Sequence, residues 1–397
     1  MIQVEPLSPF NSTTENQLLM ELNECLIQEE LFWHQKSRNQ WFTSSNLNTR
    51  FFHLSYYKNL FTSQLTLHSP HIDLLTLITP FVFDVENDSL WSIPSDQEIK
   101  DVVFSFGSYK APSPDGMSAI FYKTYWNTIC KEVIDSIKAF FADGHMLKEM
   151  NHTFITLIPK TPNPCTVKQF RPISLCNISY KTISKILANR LKSLLPNLVS
   201  PWQAASVPGR NIQDNSIIAY EIFHTMHQKF FGSKVFVALK LDMEKAFDKV
   251  DGLSSLSIFK HFGFSNKWIH LINQCISTPT FSILINGSPA GFFNSNRGLR
   301  QGDSLSPFLF TMATSFFSRF ILQKESDGLL KGIKVARNCP SISHFMFAND
   351  LIIFSRALPL DIEAIQDCLN QFNEWLGLSV NIAKSAISFS KNFQQPA

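Results

Sequence analysis

The sequence lacks the features of secreted, zinc-binding and membrane proteins. Its seven cysteines are scattered, odd in number and never spaced as C-x-x-C, so the sequence indicates neither a disulfide framework nor a zinc site. The N-terminal run MIQVEPLSPF has an acid and a proline where a signal peptide needs a basic flank and an apolar core. The most apolar early run, LLTLITPFVF, contains Pro80 and is too short to span a bilayer. We therefore expect an intracellular protein, cytoplasmic or nuclear, with no membrane segment and no disulfide partner.

Acidic residues are absent from residues 150–213, which contain eight Lys or Arg, although the whole chain carries a net charge of only +3. A local positive field of this kind is typical of contact with phosphate. A later loop, residues 297–307, adds small and cationic residues that let a backbone approach a phosphate or a base pair. The residues that we expect to bind nucleic acid are Lys181, Lys185, Arg190, Lys192, Arg210 and Arg300.

The residues that are plentiful are apolar and aromatic. Hydrophobic residues make up 44% of the 397 positions, enough for the cores of two or three domains, and 37 of all residues are Phe. We expect aromatic packing to dominate these cores. Helical spacing of apolar residues predicts an amphipathic helix over 13–40 and another over 118–142. A helix also begins after Ser95, the predicted N-cap, with Glu98 at the capping-box position.

From about residue 150 the pattern changes to strands separated by helices. The segment TFITLIPK predicts a strand that ends at Lys160, and VFVALKLD predicts a second strand that ends at Asp242. FSILINGSPAGFF and HFMFANDLIIFS predict two hairpins. The sequence therefore predicts an α+β fold with three parts: a helical linker segment (1–92), a helical region (93–149) and a sheet domain (150–397).

The acid at the strand end and the polar pair at the second hairpin are each weak evidence for a functional site. Together they are strong evidence. A single strand-end acid such as Asp242 is more often a helix N-cap, and the pair Asn349-Asp350 is more often a plain turn. Here, however, Asp242 opens DMEKAFD, the loop RGLRQGDSLSP follows, and FAND comes next in order. This order predicts one site built from all three segments.

With these segments the chain resembles the reverse transcriptases of LINE-type, non-LTR retrotransposons of plants. The resemblance runs from about residue 33 to about 390. It rests on ordered motifs, which are NTRFFH, KAPSPDG, LIPK, FRPISLCNISYKTISKILANRL, VPGRNIQDN, LDMEKAFDKV, INGSPAGFF, RGLRQGDSLSPFLF, FAND and LSVNIAKS. It implies a right-hand polymerase with fingers over a palm, in which an antiparallel sheet packs on helices. It also implies an RNA template, a DNA primer, deoxynucleoside triphosphates and two Mg²⁺ ions.

The resemblance also implies roles for the residues of the metal centre. Two Mg²⁺ ions in such enzymes are held by carboxylates and substrate phosphates. Asp242 matches the first metal-holding acid, the backbone carbonyl of Met243 assists it, and Asp350 matches a second acid of weaker effect. Lys384 matches a lysine near the pyrophosphate, where it is a candidate general acid.

Further residues match the nucleotide site of the family. Phe247 matches the aromatic residue beneath the incoming sugar, which rejects a 2′-hydroxyl by its bulk. Gln301 and Gly302 match the loop that packs on the nascent base pair. Lys160 and Arg171 match residues of the fingers that hold the triphosphate, a task that suits the forked donors of Arg.

The sequence departs from the family pattern at the catalytic hairpin. The family has F-A-D-D where this chain has Asn349 before Asp350, and neighbouring residues of an extended strand point to opposite sides, so Asp350 does not replace the lost acid. An amide brings no negative charge, so we expect metal binding to suffer and the rate to fall by about 10²–10³. Ser113 replaces a glycine, which predicts a less adaptable loop. Only 47 residues follow Asp350, so we expect the thumb to be absent or partial.

Other functions stay open at this point. The chain could bind nucleic acid without catalysis through the basic face around 160–210, or it could be a host protein that uses the fold for protein interaction. An intron maturase has a related palm, but NTRFFH and the segment around RPISLCNISYK match the retrotransposon group better.

Overall fold

The computed structural model describes residues 50–62 and 77–393, so the predicted helix over 13–40 lies outside the described residues. These two ranges form two four-stranded sheets with helices packed around them. The α+β class predicted from the sequence is thereby confirmed. No helix within these ranges is long and apolar enough to cross a membrane. The six described cysteines are all free, and Cys25 falls outside the described residues.

The helices of the described residues range from a single turn to 21 residues in length. They are α1 (Arg50–Phe61), α2 (Asp84–Trp91), α3 (Asp96–Ser105), α4 (Ala119–Thr124), α5 (Trp126–Asp143), α6 (Lys148–Asn151), α7 (Ile178–Lys192), α8 (Leu195–Leu198), α9 (Ile212–Gln228), α10 (Ala246–Lys249), α11 (Gly252–His261), α12 (Asn266–Ser277), α13 (Ser306–Ser326) and α14 (Pro359–Leu376). Two 3-10 turns cover Val167–Gln169 and Ile382–Lys384.

The first sheet has the strand order β2-β1-β4-β5. Its strands are β1 (His152–Pro159), β2 (Phe170–Cys176), β4 (Thr280–Ile285) and β5 (Ser288–Asn294). β1 pairs with β2 in antiparallel fashion and with β4 in parallel fashion. The β4–β5 turn is made by Asn286 and Gly287, with φ of 51° and 81°, as an Asn-Gly hairpin turn requires. This hairpin was predicted.

The second sheet is antiparallel throughout, with the order β6-β7-β3-β8. Its strands are β3 (Phe236–Asp242), β6 (His344–Phe347), β7 (Asp350–Arg356) and β8 (Ala386–Phe389). The register places Asp242 directly opposite Asp350. The end of β3 and the β6–β7 turn therefore lie at one edge of this sheet.

A large hydrophobic core joins the helices to the second sheet. Phe264 stacks on Trp268 with ring centroids 4.1 Å apart, and Phe247 stacks on Phe310 at 4.3 Å. α13 is buried along most of its length, since its residues pack between α14 and α11. Stacked aromatic pairs therefore contribute to the core, as expected, but most of the buried residues of this cluster are aliphatic, so aromatic packing does not dominate it.

The helical region predicted for 93–149 shares this core with the rest of the chain. Ile137 of α5 and Leu187 of α7 are fully buried in the same cluster. The Ser95 hydroxyl accepts a hydrogen bond from the Glu98 N–H at 3.1 Å, so the predicted N-cap is confirmed. The helix predicted over 118–142 is instead two helices, because Tyr125 leaves helical geometry at ψ 15°.

Candidate active site

A cleft of about 680 Å³ lies between the edge of the second sheet and the first sheet. Its lining combines the end of β3, the start of α10, the β6–β7 turn and the loop at 297–307. Most of the residues predicted for catalysis and nucleotide binding line it, and these are Lys160, Arg171, Asp242, Met243, Phe247, Gln301, Gly302, Asn349 and Lys384. The structure thus brings together segments that are more than 200 residues apart in the chain.

Asp242 lies at the centre of a small polar cluster. The Asn349 amide donates from Nδ2 to Asp242 Oδ1 at 3.4 Å, and the Asn381 amide donates to Asp242 Oδ2 at 3.4 Å. The Lys384 ammonium is 3.8 Å from Asp242 Oδ2. The predicted meeting of the strand-end acid with the hairpin tip is therefore present, but two amide donors and an ammonium surround the carboxylate.

The hairpin tip differs in one respect from the sequence argument. Asn349 lies in the turn beside Ala348, whose φ of 54° is in the left-handed region, so strand alternation does not govern its direction. Asp350 is the first residue of β7, is exposed, and is absent from the described residues that line the cleft. The conclusion that Asp350 does not take over the position of Asn349 holds, for a different geometrical reason.

The donor set does not fit two Mg²⁺ ions. Within the described ranges, no three His, Cys, Asp or Glu side chains gather in a way that could hold a metal ion. Near the hairpin the cleft offers the Asp242 carboxylate, while Asn349 turns an N–H donor rather than an oxygen toward it. Mg²⁺ prefers charged oxygen ligands. The Asp242 carboxylate is therefore better suited here to its hydrogen bonds with Asn349 and Asn381 than to binding Mg²⁺.

The loop at 297–307 is held against α10 and against β2 of the first sheet. The Gln301 amide donates to Asp248 Oδ1 at 2.7 Å, and the Gln301 carbonyl accepts from the Ser174 N–H at 2.9 Å. Gly298 has a φ of +88°, and a Cβ there would lie 2.7 Å from the Asp248 carbonyl oxygen. These contacts fix Gln301 and Gly302 at the wall of the cleft.

Several lining residues were missed by the sequence analysis. They are Lys168, Glu244, Lys245, Asp248 and Asn381. Lys245 and Asp248 belong to the quoted motif LDMEKAFDKV, and Asn381 belongs to LSVNIAKS, so the motifs contained the signal. Burial raises the pKa of the Asp248 carboxyl to about 6 and lowers the pKa of Lys245 to about 8. Depth in the fold, which the motifs do not report, sets these two values.

Two arginines predicted to bind nucleic acid are instead structural. Arg190 forms a two-pronged ion pair with Glu98, at 3.1 and 2.9 Å, and donates to the Ser92 carbonyl at 2.6 Å. Arg210 donates to the carbonyls of Pro196, Val199, Ser200 and Gln203 at 2.5–2.9 Å. The prediction is corrected for both, because their guanidinium donors are already used within the protein.

Arg300 is corrected in the same way. It is 6% exposed, lies over the Tyr180 ring at 3.7 Å, and donates to Asn151 Oδ1 at 2.7 Å and to the Cys275 carbonyl at 2.6 Å. Its buried guanidinium therefore anchors the 297–307 loop from below, and its donors are used within the protein although the residue contributes to the cleft lining. By contrast, Lys181 and Lys185 are half-buried and Lys192 is exposed, all three away from the cleft lining.

Ser113 contributes a contact that its sequence position did not suggest. It is buried, its hydroxyl donates to the Cys176 carbonyl at 2.7 Å, and its φ is not left-handed. The expected loss of a needed glycine is therefore wrong, since the loop does not use the freedom that a glycine provides.

Comparisons with known proteins identify the family of this chain. The family model of reverse transcriptase (RNA-dependent DNA polymerase) matches residues 158–394. The chain belongs to this family, and reverse transcriptases generally use divalent metal ions. The resemblance predicted from the motifs is confirmed at the level of the family.

Individual relatives are more distant. The transposon TX1 uncharacterized 149 kDa protein of Xenopus laevis is 26% identical over 332 residues, which is 84% of this chain and 25% of that protein. A Pol polyprotein from a type-1 retrotransposable element R2 of Nasonia vitripennis is 26% identical over 270 residues, 68% of this chain and 24% of that protein. The chain spans about a quarter of the length of these relatives. A structure of apo telomerase from Candida tropicalis covers 73% of this chain and 60% of its own, with a TM-score of 0.43 and 14% identity.

Proposed function

We propose that this chain is the fingers-and-palm part of a non-LTR retrotransposon reverse transcriptase whose nucleotidyl-transfer centre is weakened at position 349. The observation that carries the proposal is the Asn349 amide 3.4 Å from the Asp242 carboxylate, in the cleft of a reverse transcriptase family member. The retrotransposon names of two relatives support this origin. The finger-and-palm unit corresponds to residues 150–397, and the plant origin rests on the motifs alone.

The cleft has the charge expected for a triphosphate. Burial lowers the pKa of Lys160, and the nearby positive charges of Lys384 and Arg171 lower it further. A lysine whose charging is opposed by neighbouring cations loses that penalty when a polyanion binds beside it. In this proposal Lys160 and Arg171 hold the triphosphate of an incoming deoxynucleotide, and Lys384 protonates the pyrophosphate that leaves.

The remaining walls of the cleft would hold the nucleoside and the duplex. Phe247 stacks on Phe310 with ring centroids 4.3 Å apart, which supports a rigid floor beneath the sugar. Gln301 and Gly302 would pack on the nascent pair of RNA template and DNA primer. Lys181, Lys185 and Lys192 remain proposed contacts for the nucleic acid, and the proposed location of the protein is intracellular.

The metal centre is where this chain departs from the family. Asp242, the Met243 carbonyl and Asp350 are the remaining candidates to hold Mg²⁺, and two ions would have one cleft carboxylate fewer than in the F-A-D-D pattern. Removal of a preorganised charged group of this kind costs about 10²–10³ in rate. We therefore propose that the natural chain extends a primer slowly.

Nucleic-acid binding without catalysis is the second candidate. It is favoured by the Asp242 cluster, in which two amides and the Lys384 ammonium already satisfy the carboxylate. A cleft of this kind retains its cations for phosphate while it disfavours metal. Such binding would weaken steeply with salt, because counterions are released from the nucleic acid.

Primer extension on an RNA template tests the proposal. The Asn349→Asp variant is compared with the natural chain in Mg²⁺ and in Mn²⁺, and we expect the variant to extend at least about a hundredfold faster. The control is Asn266→Asp, which adds the same charge at an exposed position of α12.

Three outcomes separate the alternatives. Equal extension by the natural chain and Asn349→Asp would contradict the proposed weakening. Absence of extension by both, together with salt-dependent duplex binding, would favour the second candidate. Faster extension by Asn266→Asp would show that added charge alone, and not its position, explains the gain.

A further inference from the structure

Gln203 lies beneath the tip of the catalytic hairpin. It is fully buried, its Oε1 accepts from the Ala348 N–H at 3.1 Å, and its Nε2 donates to the Ala348 carbonyl at 3.4 Å. One side chain thus binds both backbone polar groups of a single turn residue. The same Oε1 also accepts from the Ala205 N–H at 3.0 Å, which fixes the direction of the amide.

The turn needs such support because its backbone is unfavourable. Ala348 has a φ of 54°, in the left-handed region that residues with a Cβ rarely adopt. The β6–β7 ladder ends at the Phe347–Asp350 pair, so the ladder does not hold the two turn residues. A change at Ala348 would redirect Asn349, the next residue, away from Asp242.

The segment that carries Gln203 is itself held firmly. It extends the second sheet as a short bridge on the open edge of β6: the Met346 N–H donates to the Trp202 carbonyl at 2.9 Å, and the Ala204 N–H donates to the Met346 carbonyl at 3.1 Å. Arg210 donates to the Gln203 carbonyl at 2.8 Å. A rigid base of this kind lets a side chain set the geometry of its neighbour.

We propose that Gln203 is a positioning residue, which holds Ala348 in its left-handed conformation and thereby aims residue 349 at Asp242. Arg210 supports it by fixing the Gln203 backbone. The effect on catalysis rests on the proposed function, but the effect on the turn does not.

Backbone amide exchange of the full chain tests the structural part. In Gln203→Leu, we expect the Ala348 amide to exchange about tenfold faster or more, since its acceptor is lost. Gln203→Glu keeps an acceptor for this N–H and is expected to restore most of the protection. The matched control is Asn87→Leu, because Asn87 is also buried and also clamps backbone, donating to the Gly263 carbonyl at 2.9 Å and accepting from the Ser265 N–H at 2.7 Å.

The control separates a local effect from general destabilisation. Asn87→Leu is expected to speed exchange around Ser265 and to leave Ala348 protected. The proposal is overturned if Gln203→Leu leaves Ala348 protected, or if Asn87→Leu exposes Ala348 equally. Should Gln203→Leu fail to fold, Gln203→Met takes its place, because Met keeps the length of the side chain and removes the acceptor of the Ala348 N–H. Protection of Ala348 in Gln203→Met equal to that in the natural chain would overturn the proposal.

Kinetics in the Asn349→Asp background test the catalytic part. Gln203→Leu in that background is expected to lower kcat for primer extension about tenfold while KM for the nucleotide stays unchanged, because the triphosphate cations are untouched. Gln203→Glu, which keeps the acceptor for the Ala348 N–H, is expected to restore most of kcat. Equal kcat with and without Gln203→Leu would contradict positioning. If Asn349→Asp itself gives no activity, the proposed function fails while the exchange result still decides the role of Gln203.

Discussion

Asp248 allows a quantitative test of the electrostatics of the cleft. It is 2% exposed, accepts a hydrogen bond from Gln301 at 2.7 Å, and has no ion pair within 4 Å among the described residues. Burial raises its pKa from 3.8 to about 6, although Lys245 and Gln301 act in the opposite direction. Burial therefore outweighs the attraction of a nearby lysine.

The sign and size of the effect follow from linkage. Because the folded chain holds the Asp248 proton more tightly than the unfolded chain, protonation favours folding. The stabilisation is fully present below pH 3.8 and is lost as the pH rises through about 6. A pKa rise from 3.8 to about 6 corresponds to about 3 kcal/mol.

Urea unfolding between pH 4 and pH 7 measures this effect. Asp248→Asn keeps an oxygen acceptor for Gln301 but removes the titrating group. The free energy of unfolding of this variant, relative to the natural chain, is expected to increase by about 2–3 kcal/mol from pH 4 to pH 7. The exposed Asp143→Asn variant controls for the loss of a negative charge. A difference that stays constant over this pH range would refute the reasoning.

Two other predictions concern residues that hold the fold together. Arg300→Met should lower the free energy of unfolding by about 3 kcal/mol, because it leaves buried hydrogen-bond acceptors without a donor. The control Arg171→Met changes an exposed arginine and should alter the free energy of unfolding by less than about 0.5 kcal/mol. Similar losses for the two variants in urea titrations would contradict the structural role of Arg300. Gly263→Ala should cost about 2–3 kcal/mol, because its φ is +95° and a Cβ would lie 2.5 Å from the Val82 carbonyl oxygen. Gly116 also has a positive φ, but a Cβ there would meet no atom within 4 Å. If Gly116→Ala lowers the free energy of unfolding as much as Gly263→Ala, the cost comes from backbone conformation alone.

The sequence predicted well those features that depend on local pattern and on motif order. The strand predicted to end at Lys160 ends one residue earlier, at Pro159, and the strand predicted to end at Asp242 ends there. These strands, both hairpins and the Ser95 cap follow from residue spacing and turn chemistry. The meeting of Asp242 with Asn349 followed from the order of family motifs. Each of these signals is contained in a short run of residues.

The features that the sequence did not predict depend on partners distant in the chain. In the sequence, Arg190 and Arg210 cannot be distinguished from cations on the surface. Only the fold shows that their guanidinium groups are hydrogen-bonded within the protein. The pKa of Asp248 depends on its depth, and the role of Gln203 depends on a turn 145 residues away. Local pattern carries no information on such contacts.

The most direct test of the central claim is a titration with Mn²⁺, followed by electron paramagnetic resonance, of the natural chain, Asn349→Asp and Asn266→Asp. If the amide at position 349 deprives the Asp242 centre of metal, Asn349→Asp should bind Mn²⁺ at least about tenfold more tightly than both other chains. Equal affinity of Asn349→Asp and the natural chain would contradict the account.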